Sequence, residues 1–284
     1  MRPDLFKIGS FTVHGYGLMI GIGFVLALII GELRAKKMKL KEDAVIDIAI
    51  IAVVSGFLGA KLLYIIVNFK EFMHSPLDVL GSAGFVVYGG LIAGVLCNMI
   101  YVKVKKLNFF EYFDLVMPEI ALAQAFGRIG CFLAGCCYGR ETTLPIGVVF
   151  PEHSLAPSGV KLLPTQLMSC AFDFVNMAVL MIIAAKFSYT VANIKKEAGE
   201  ENVKSLRAGD IGSLYCIFYG IGRFAIEFFR NDFRGEVGPF STSQFISLFI
   251  VALGVGLIVF NRLRPEKESV KESEKETGDE FDEE

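Results

Sequence analysis

Two arginines stand inside otherwise apolar stretches of this sequence: Arg128 in Gln124-Ala-Phe-Gly-Arg-Ile-Gly-Cys-Phe, and Arg223 in Tyr219-Gly-Ile-Gly-Arg-Phe-Ala-Ile-Glu-Phe-Phe-Arg230. A guanidinium is a planar fork that donates to two oxygens at once and keeps its charge at any physiological pH, so the chemistry it suits is recognition of phosphate or carboxylate. Gly127, Gly130 and Gly135 strip side-chain bulk from the neighbourhood of Arg128 and let another backbone or a ligand come close. Around Arg223 the spacing is helical: Tyr219, Arg223, Glu227 and Arg230 fall on one face, with Phe224, Phe228 and Phe229 elsewhere around the turn. An internal Arg223–Glu227 ion pair is the plain structural alternative. It would still leave Arg128 without an anion, because Glu119 lies nine residues away on nearly the opposite face. Two guanidinium groups with one obvious internal partner favour an anion site.

Other residues carry weaker signals. His14 can exchange a proton near neutral pH, and Tyr16 follows two residues later; an interfacial Tyr is as readily a membrane-belt residue as a reactive one. Tyr88 precedes a Gly89-Gly90 pair. Cys131, Cys136 and Cys137 form a C-x4-C-C arrangement without zinc-site spacing and without an adjacent His or carboxylate, which reads as small apolar packing residues.

The elements that must hold these side chains follow from composition. Of 284 residues, 54% are hydrophobic and 20% charged, too apolar for a soluble domain of this size. The apolar residues gather into runs near 14–33, 45–67, 83–101, 113–137, 166–187, 211–229 and 241–261. Each has about the length that an α-helix needs to cross a hydrocarbon core roughly 30 Å thick. The fold class is therefore all-α, a polytopic membrane protein of seven transmembrane helices, with no character of a nucleic-acid-binding module. A charge within such a span costs about 2.5 kcal/mol or more and is usually kept for function, which returns attention to Arg128 and Arg223.

Lys and Arg between the spans set the orientation. The segments 34–44, 102–112, 188–210 and 262–284 hold 17 of them, the alternate set only 7. Cytoplasmic loops retain positive charge, so the N-terminus is expected outside and the C-terminus inside. Residues 265–284 carry ten acids against three Lys and almost nothing apolar, and read as an acidic, disordered cytoplasmic tail on a transmembrane domain of residues 1–264. The outward segment 138–165 is the longest of its set, carries four Pro, and is a candidate cap.

The ordered series His14-Gly-Tyr-Gly-Leu-Met, Tyr88-Gly-Gly-Leu-Ile, Gly127-Arg-Ile-Gly-Cys-Phe, Gly135-Cys-Cys-Tyr-Gly-Arg, Leu163-Pro-Thr-Gln-Leu and Tyr219 to Arg230 resembles bacterial prolipoprotein diacylglyceryl transferases. The resemblance runs from about residue 5 to 262. It implies a multi-pass enzyme of the bacterial cytoplasmic (inner) membrane that moves the diacylglyceryl group of phosphatidylglycerol onto the lipobox Cys of a preprolipoprotein, the first step of lipoprotein maturation. Its implied partners are phosphatidylglycerol, the lipobox segment and the bilayer. By the same resemblance Arg128 is the arginine that binds phosphatidylglycerol and Arg223 the second essential one, with His14, Tyr16, Gly139, Tyr219, Glu227 and Arg230 on matching positions. The departures cluster near the site. Cys131, Ala134 and Cys136 stand where the family usually has Asn, Asn and Glu, Tyr88 and Leu163 where it usually has His, and Ser169 where it has Glu.

The implied reaction alkylates a thiol at the glycerol carbon that bears the phosphate. The expected catalytic set is Arg128 and Arg223 against the charge growing on the departing phosphate, with Tyr88, His14 and Tyr16 positioning or relaying the thiol proton. Gly139, Tyr219, Glu227 and Arg230 join the two arginines in the phosphatidylglycerol site, which should lie between the first, third, fourth and sixth spans toward the outside. The leaving group is already activated and no redox step occurs, so no metal or organic cofactor is expected. Two rival readings remain: a diverged relative using another acceptor, and a small lipid or anion transporter lined by Arg128, Arg223 and Glu227.

Overall fold

The computed structural model describes residues 4–8, 11–82, 84–152, 154–200, 203–231 and 235–263. The acidic segment 265–284 lies outside them. Among the described residues the chain runs β1 (Asp4–Ile8), β2 (Phe11–His14), α1 (Gly15–Lys37), α2 (Asp43–Val67), α3 (Phe69–His74), α4 (Pro76–Gly81), α5 (Val87–Val104) and α6 (Phe109–Ala134). It continues through β3 (Val148–Val149), β4 (Lys161–Leu162), α7 (Thr165–Phe187), α8 (Tyr189–Glu197), α9 (Asp210–Glu227), β5 (Glu236–Val237), β6 (Phe240–Ser241) and α10 (Thr242–Leu263).

Among the described residues six helical stretches are long and apolar enough to cross a membrane: α1, α2, α5, α6, the Thr165–Glu197 stretch made by α7 and α8, and α10. The protein is thus a polytopic membrane protein. The sixth predicted span is also helical, as α9, but Asp210, Arg223 and Glu227 give it more charge than a lipid-facing span carries. The fold is mostly helical, as expected, and among the described residues three two-stranded antiparallel ribbons, β1–β2, β3–β4 and β5–β6, decorate the helices. Two of them use strands of two residues, too short to show the alternation by which a strand is recognised.

Glycine sets the closest helix contacts. A Cβ on Gly59 of α2 would stand 2.5 Å from the Gly89 carbonyl oxygen of α5, and one on Gly90 would stand 2.6 Å from the Gly56 oxygen, so the two backbones meet because neither carries a side chain there. The large apolar side chains point the other way: Phe57 on α2, Leu91 on α5 and Phe249 on α10 are more than half exposed, as a lipid-facing surface requires. The interior is unusually polar. Gln166, Asp173 and Asn176 on α7, Ser213 and Glu227 on α9 and Gln244 on α10 are all buried.

At one end of the bundle the loops knit the site together. Gly135, in the left-handed region at φ 74°, ends α6, and the Cys136 N–H donates back to the Cys131 carbonyl at 3.1 Å. The chain then pairs Gly139 with Arg230, the Arg140 N–H donating to Phe229 O and the Gly139 N–H to Leu163 O, each at 2.9 Å. This ties the segment after α6 to the entry of α7 and the exit of α9. The opposite end is closed by ion pairs and caps: Asp114 accepts from the N–H groups of Gly209 and Gly212 at 2.8 Å, and Arg262 meets Asp210 at 2.7 Å.

Candidate active site

The charged centre is built on α6, α7 and α9, closed by α10 and flanked by the start of α1. On α9, Arg223 Nη1 meets Glu227 Oε2 at 2.6 Å, so the ion pair suggested by the i, i+4 spacing is formed, and Arg223 Nη2 donates to Ser243 Oγ at 2.8 Å. Glu227 is held from two further sides. Ser241 Oγ donates to its Oε1 at 3.0 Å, and Arg230 Nε lies 3.7 Å from Oε2. Both partners of the Arg223–Glu227 pair are nearly buried, with side chains 11% and 7% exposed, so their geometry is held by low dielectric as well as by packing.

Arg128 is placed differently. It sits six residues before the end of α6, about 9 Å along the axis from Ala134. Among the described residues none makes a hydrogen bond or an ion pair with its guanidinium. Asp173, a buried carboxylate on α7, lies within electrostatic reach of both Arg128 and Arg223. Asp173 was not among the residues singled out from the sequence. Its signal was available: an acid in the middle of the fifth apolar run is as anomalous as an arginine there. Arg128, Arg223 and Arg230 with Glu227 and Asp173 make this a charged centre inside the bundle, of a kind suited to a phosphodiester.

Tyr16, in the first turn of α1, packs on α6 where Gly130 makes room: a Cβ there would stand 3.1 Å from the Tyr16 ring and its carbonyl oxygen. This places the phenol within electrostatic reach of Arg128 and of the thiols of Cys131, Cys136 and Cys137. His14 is exposed at the N-cap of α1. Tyr219 stacks on Tyr215 with ring centroids 5.7 Å apart, and the Tyr215 hydroxyl donates to Gln124 Oε1 at 2.9 Å, joining α9 to the turn of α6 that precedes Arg128. Gly139 has no room for a side chain, since a Cβ would lie 2.7 Å from Phe229 O and from Thr165 Cγ2; its contribution is the close approach of backbones.

Tyr88 is not brought to this centre by any contact among the described residues. It lies 46% exposed near the start of α5, whose packing is against α2. The helices that meet around Arg128 are thus the first, fourth, fifth and sixth spans, with α7 taking the position expected of α5. Cys131, Cys136 and Cys137, which are far from a zinc pattern in sequence, gather just past the end of α6, with their Sγ atoms all within 4.8 Å of one another.

Fold and centre together define a multi-pass membrane protein with a charged, incompletely paired core inside its helix bundle. The sequence matches the family described as prolipoprotein diacylglyceryl transferase over residues 3–260. It is 43% identical to the phosphatidylglycerol–prolipoprotein diacylglyceryl transferase of Clostridium tetani, covering 93% of this chain and 99% of that one. It is 44% identical to enzyme 2 of the same description from Clostridium perfringens, over 95% and 99% of the two chains. A Streptococcus uberis relative of the same description is 31% identical over 92% and 95%. The chain belongs to the prolipoprotein diacylglyceryl transferase family.

Proposed function

We propose that this chain transfers the diacylglyceryl group of phosphatidylglycerol to the thiol of the lipobox Cys in a preprolipoprotein. The observation that carries the reading is Arg128: a guanidinium inside the bundle, without an ion-pair partner among the described residues, beside a second arginine whose position is held by Glu227 and Ser243. The family relatives, named for this substrate pair, support it along nearly the full chain.

In the proposed reaction the thiolate sulfur attacks the glycerol carbon that bears the phosphate. A C–S bond forms, the C–O bond to phosphate breaks, and glycerol phosphate leaves carrying the bonding electron pair. Arg128 and Arg223 face the phosphate and offset the charge that grows on it, an effect of about 3 kcal/mol for a well-aimed donor. The same guanidiniums lower the pKa of a thiol docked beside them, so its deprotonation needs modest help. Tyr16 and His14 at the start of α1 and Tyr88 at the start of α5 are the proton-handling candidates. Tyr219, Glu227 and Arg230 shape the headgroup pocket, while Gly139 lets its walls close.

The proposed setting is the bacterial cytoplasmic membrane, crossed seven times with α9 as the sixth span. Its charge is acceptable because Arg223 and Glu227 face inward. The N-terminus lies outside and the C-terminus inside, supported by the Lys and Arg excess on the opposite set of segments. Residues 1–264 form the transferase domain and 265–284 a cytoplasmic tail. The lipid enters sideways from the bilayer and the lipobox meets it at the outer leaflet, at the end of the bundle where β3–β4 and β5–β6 lie. The test is incubation of purified protein with phosphatidylglycerol and a lipobox peptide. A diacylglyceryl mass on the Cys with release of glycerol phosphate supports the reading. Vectorial lipid movement in liposomes that lack any acceptor peptide, with no modified peptide, would replace it with the transporter.

A further inference from the structure

From the geometry just past α6 we infer that Cys131, Cys136 and Cys137 form a trithiolate site for a soft d10 metal cation such as Zn(II), Cu(I) or Cd(II). The three Sγ atoms already lie within 4.8 Å of one another. At a metal–sulfur distance of about 2.3 Å, three ligands in a trigonal or tetrahedral arrangement need separations of roughly 3.8–4.0 Å, so small χ1 adjustments close the set. Thiolates select thiophilic ions over Mg(II) or Ca(II), and a three-sulfur set leaves one position for water or no fourth ligand at all.

The cluster is built rather than incidental. The left-handed turn at Gly135 reverses the chain at the end of α6, and Cys137, a non-glycine residue, is itself held at φ 63°, a conformation that costs energy and persists only where the surroundings enforce it. The enforcing groups come from the first turn of α7. Thr165 Oγ1 donates to the Cys137 carbonyl and Gln166 Nε2 to the Cys136 carbonyl, both at 2.7 Å, and both side chains are only 1% exposed. With the Cys136 N–H bonded to Cys131 O, the backbones of all three ligands are fixed before a metal arrives. Cys131 is buried while Cys136 and Cys137 are half-buried, which leaves an approach from one side. The C-x4-C-C spacing hides this site in the sequence because the reversal at Gly135 and Cys137, not the interval, brings the sulfurs together.

The test is anaerobic titration of the reduced, purified full chain with cadmium(II). The expected result is one cadmium bound per chain, with thiolate-to-cadmium charge-transfer absorption and protection of Cys131, Cys136 and Cys137, but not Cys97, from alkylation. Cys136→Ser should weaken binding by more than the roughly tenfold to hundredfold that a group behind the ligands is worth, while Cys97→Ser leaves it unchanged. The protection pattern in the unaltered chain reads the site without depending on a variant that folds. Absence of stoichiometric cadmium, equal binding by Cys136→Ser, or protection at Cys97, Cys170 or Cys216 instead would overturn the proposal.

Discussion

Arg34 and Arg128 both belong to membrane-spanning helices and both lie against α6, yet their surroundings differ in the one respect that matters for chemistry. Arg34, in the last turn of α1, donates Nη1 to Glu119 Oε1 at 2.6 Å and to the Leu115 carbonyl at 2.8 Å. Its positive charge is cancelled by a carboxylate of the neighbouring helix, and the pair welds α1 to α6. Arg128, on the same α6, meets no carboxylate at ion-pair distance among the described residues. Glu119 therefore serves the other end of the bundle, while Asp173 lies within electrostatic reach of Arg128 and Arg223. A cation within the bundle that has a dedicated anion is architecture, and one without is prepared for an anion that comes and goes.

That contrast can be broken at either centre. Arg128→Ala should lower transfer by at least about a hundredfold while the protein still inserts and folds, since a preorganised donor to developing charge is worth this much. Arg223→Lys keeps the charge but loses the fork that spans Glu227 and Ser243; transfer should fall by about tenfold or more, read as kcat against KM for phosphatidylglycerol. Arg34→Ala should do the reverse of Arg128→Ala. Leaving Glu119 buried and unpaired should cost about 3–5 kcal/mol of stability, visible as a lower Tm, while the activity of each surviving folded molecule stays within about twofold. For Tyr88→Phe the expected loss is about tenfold, and a neutral result would hand the proton to Tyr16 or His14. The smallest effect is expected of Asp173→Asn, a few-fold fall in kcat with no rise in KM, because removing a negative charge leaves the lipid phosphate no less welcome. A raised KM would mean that Asp173 contacts the lipid itself.

What could be read from the residues alone divides along the same line. The helices were legible because each announces itself locally, by about twenty apolar residues, and the Arg223–Glu227 pair because i, i+4 neighbours must share a face. Arg34–Glu119 was not legible, since its partners are 85 residues apart and only the packing of α1 on α6 joins them. Asp173 escaped for a related reason: its importance lies in facing arginines on two other helices. Placing Tyr88 beside Arg128 rested on family resemblance, and no contact among the described residues joins the two. The ribbons and the cysteine cluster depend on backbone reversals that leave no periodic trace.

The central claim is that Arg128, and not merely an intact bundle, makes this chain a transferase. The most direct measurement is mass spectrometry of a lipobox peptide incubated with phosphatidylglycerol and, in parallel, unaltered protein, Arg128→Ala and Arg34→Ala at matched amounts of folded protein. A diacylglyceryl-modified Cys with the unaltered and Arg34→Ala proteins, and none with Arg128→Ala, is the predicted result. Retention of a tenth of the activity by Arg128→Ala, or equal losses in both variants, would contradict it.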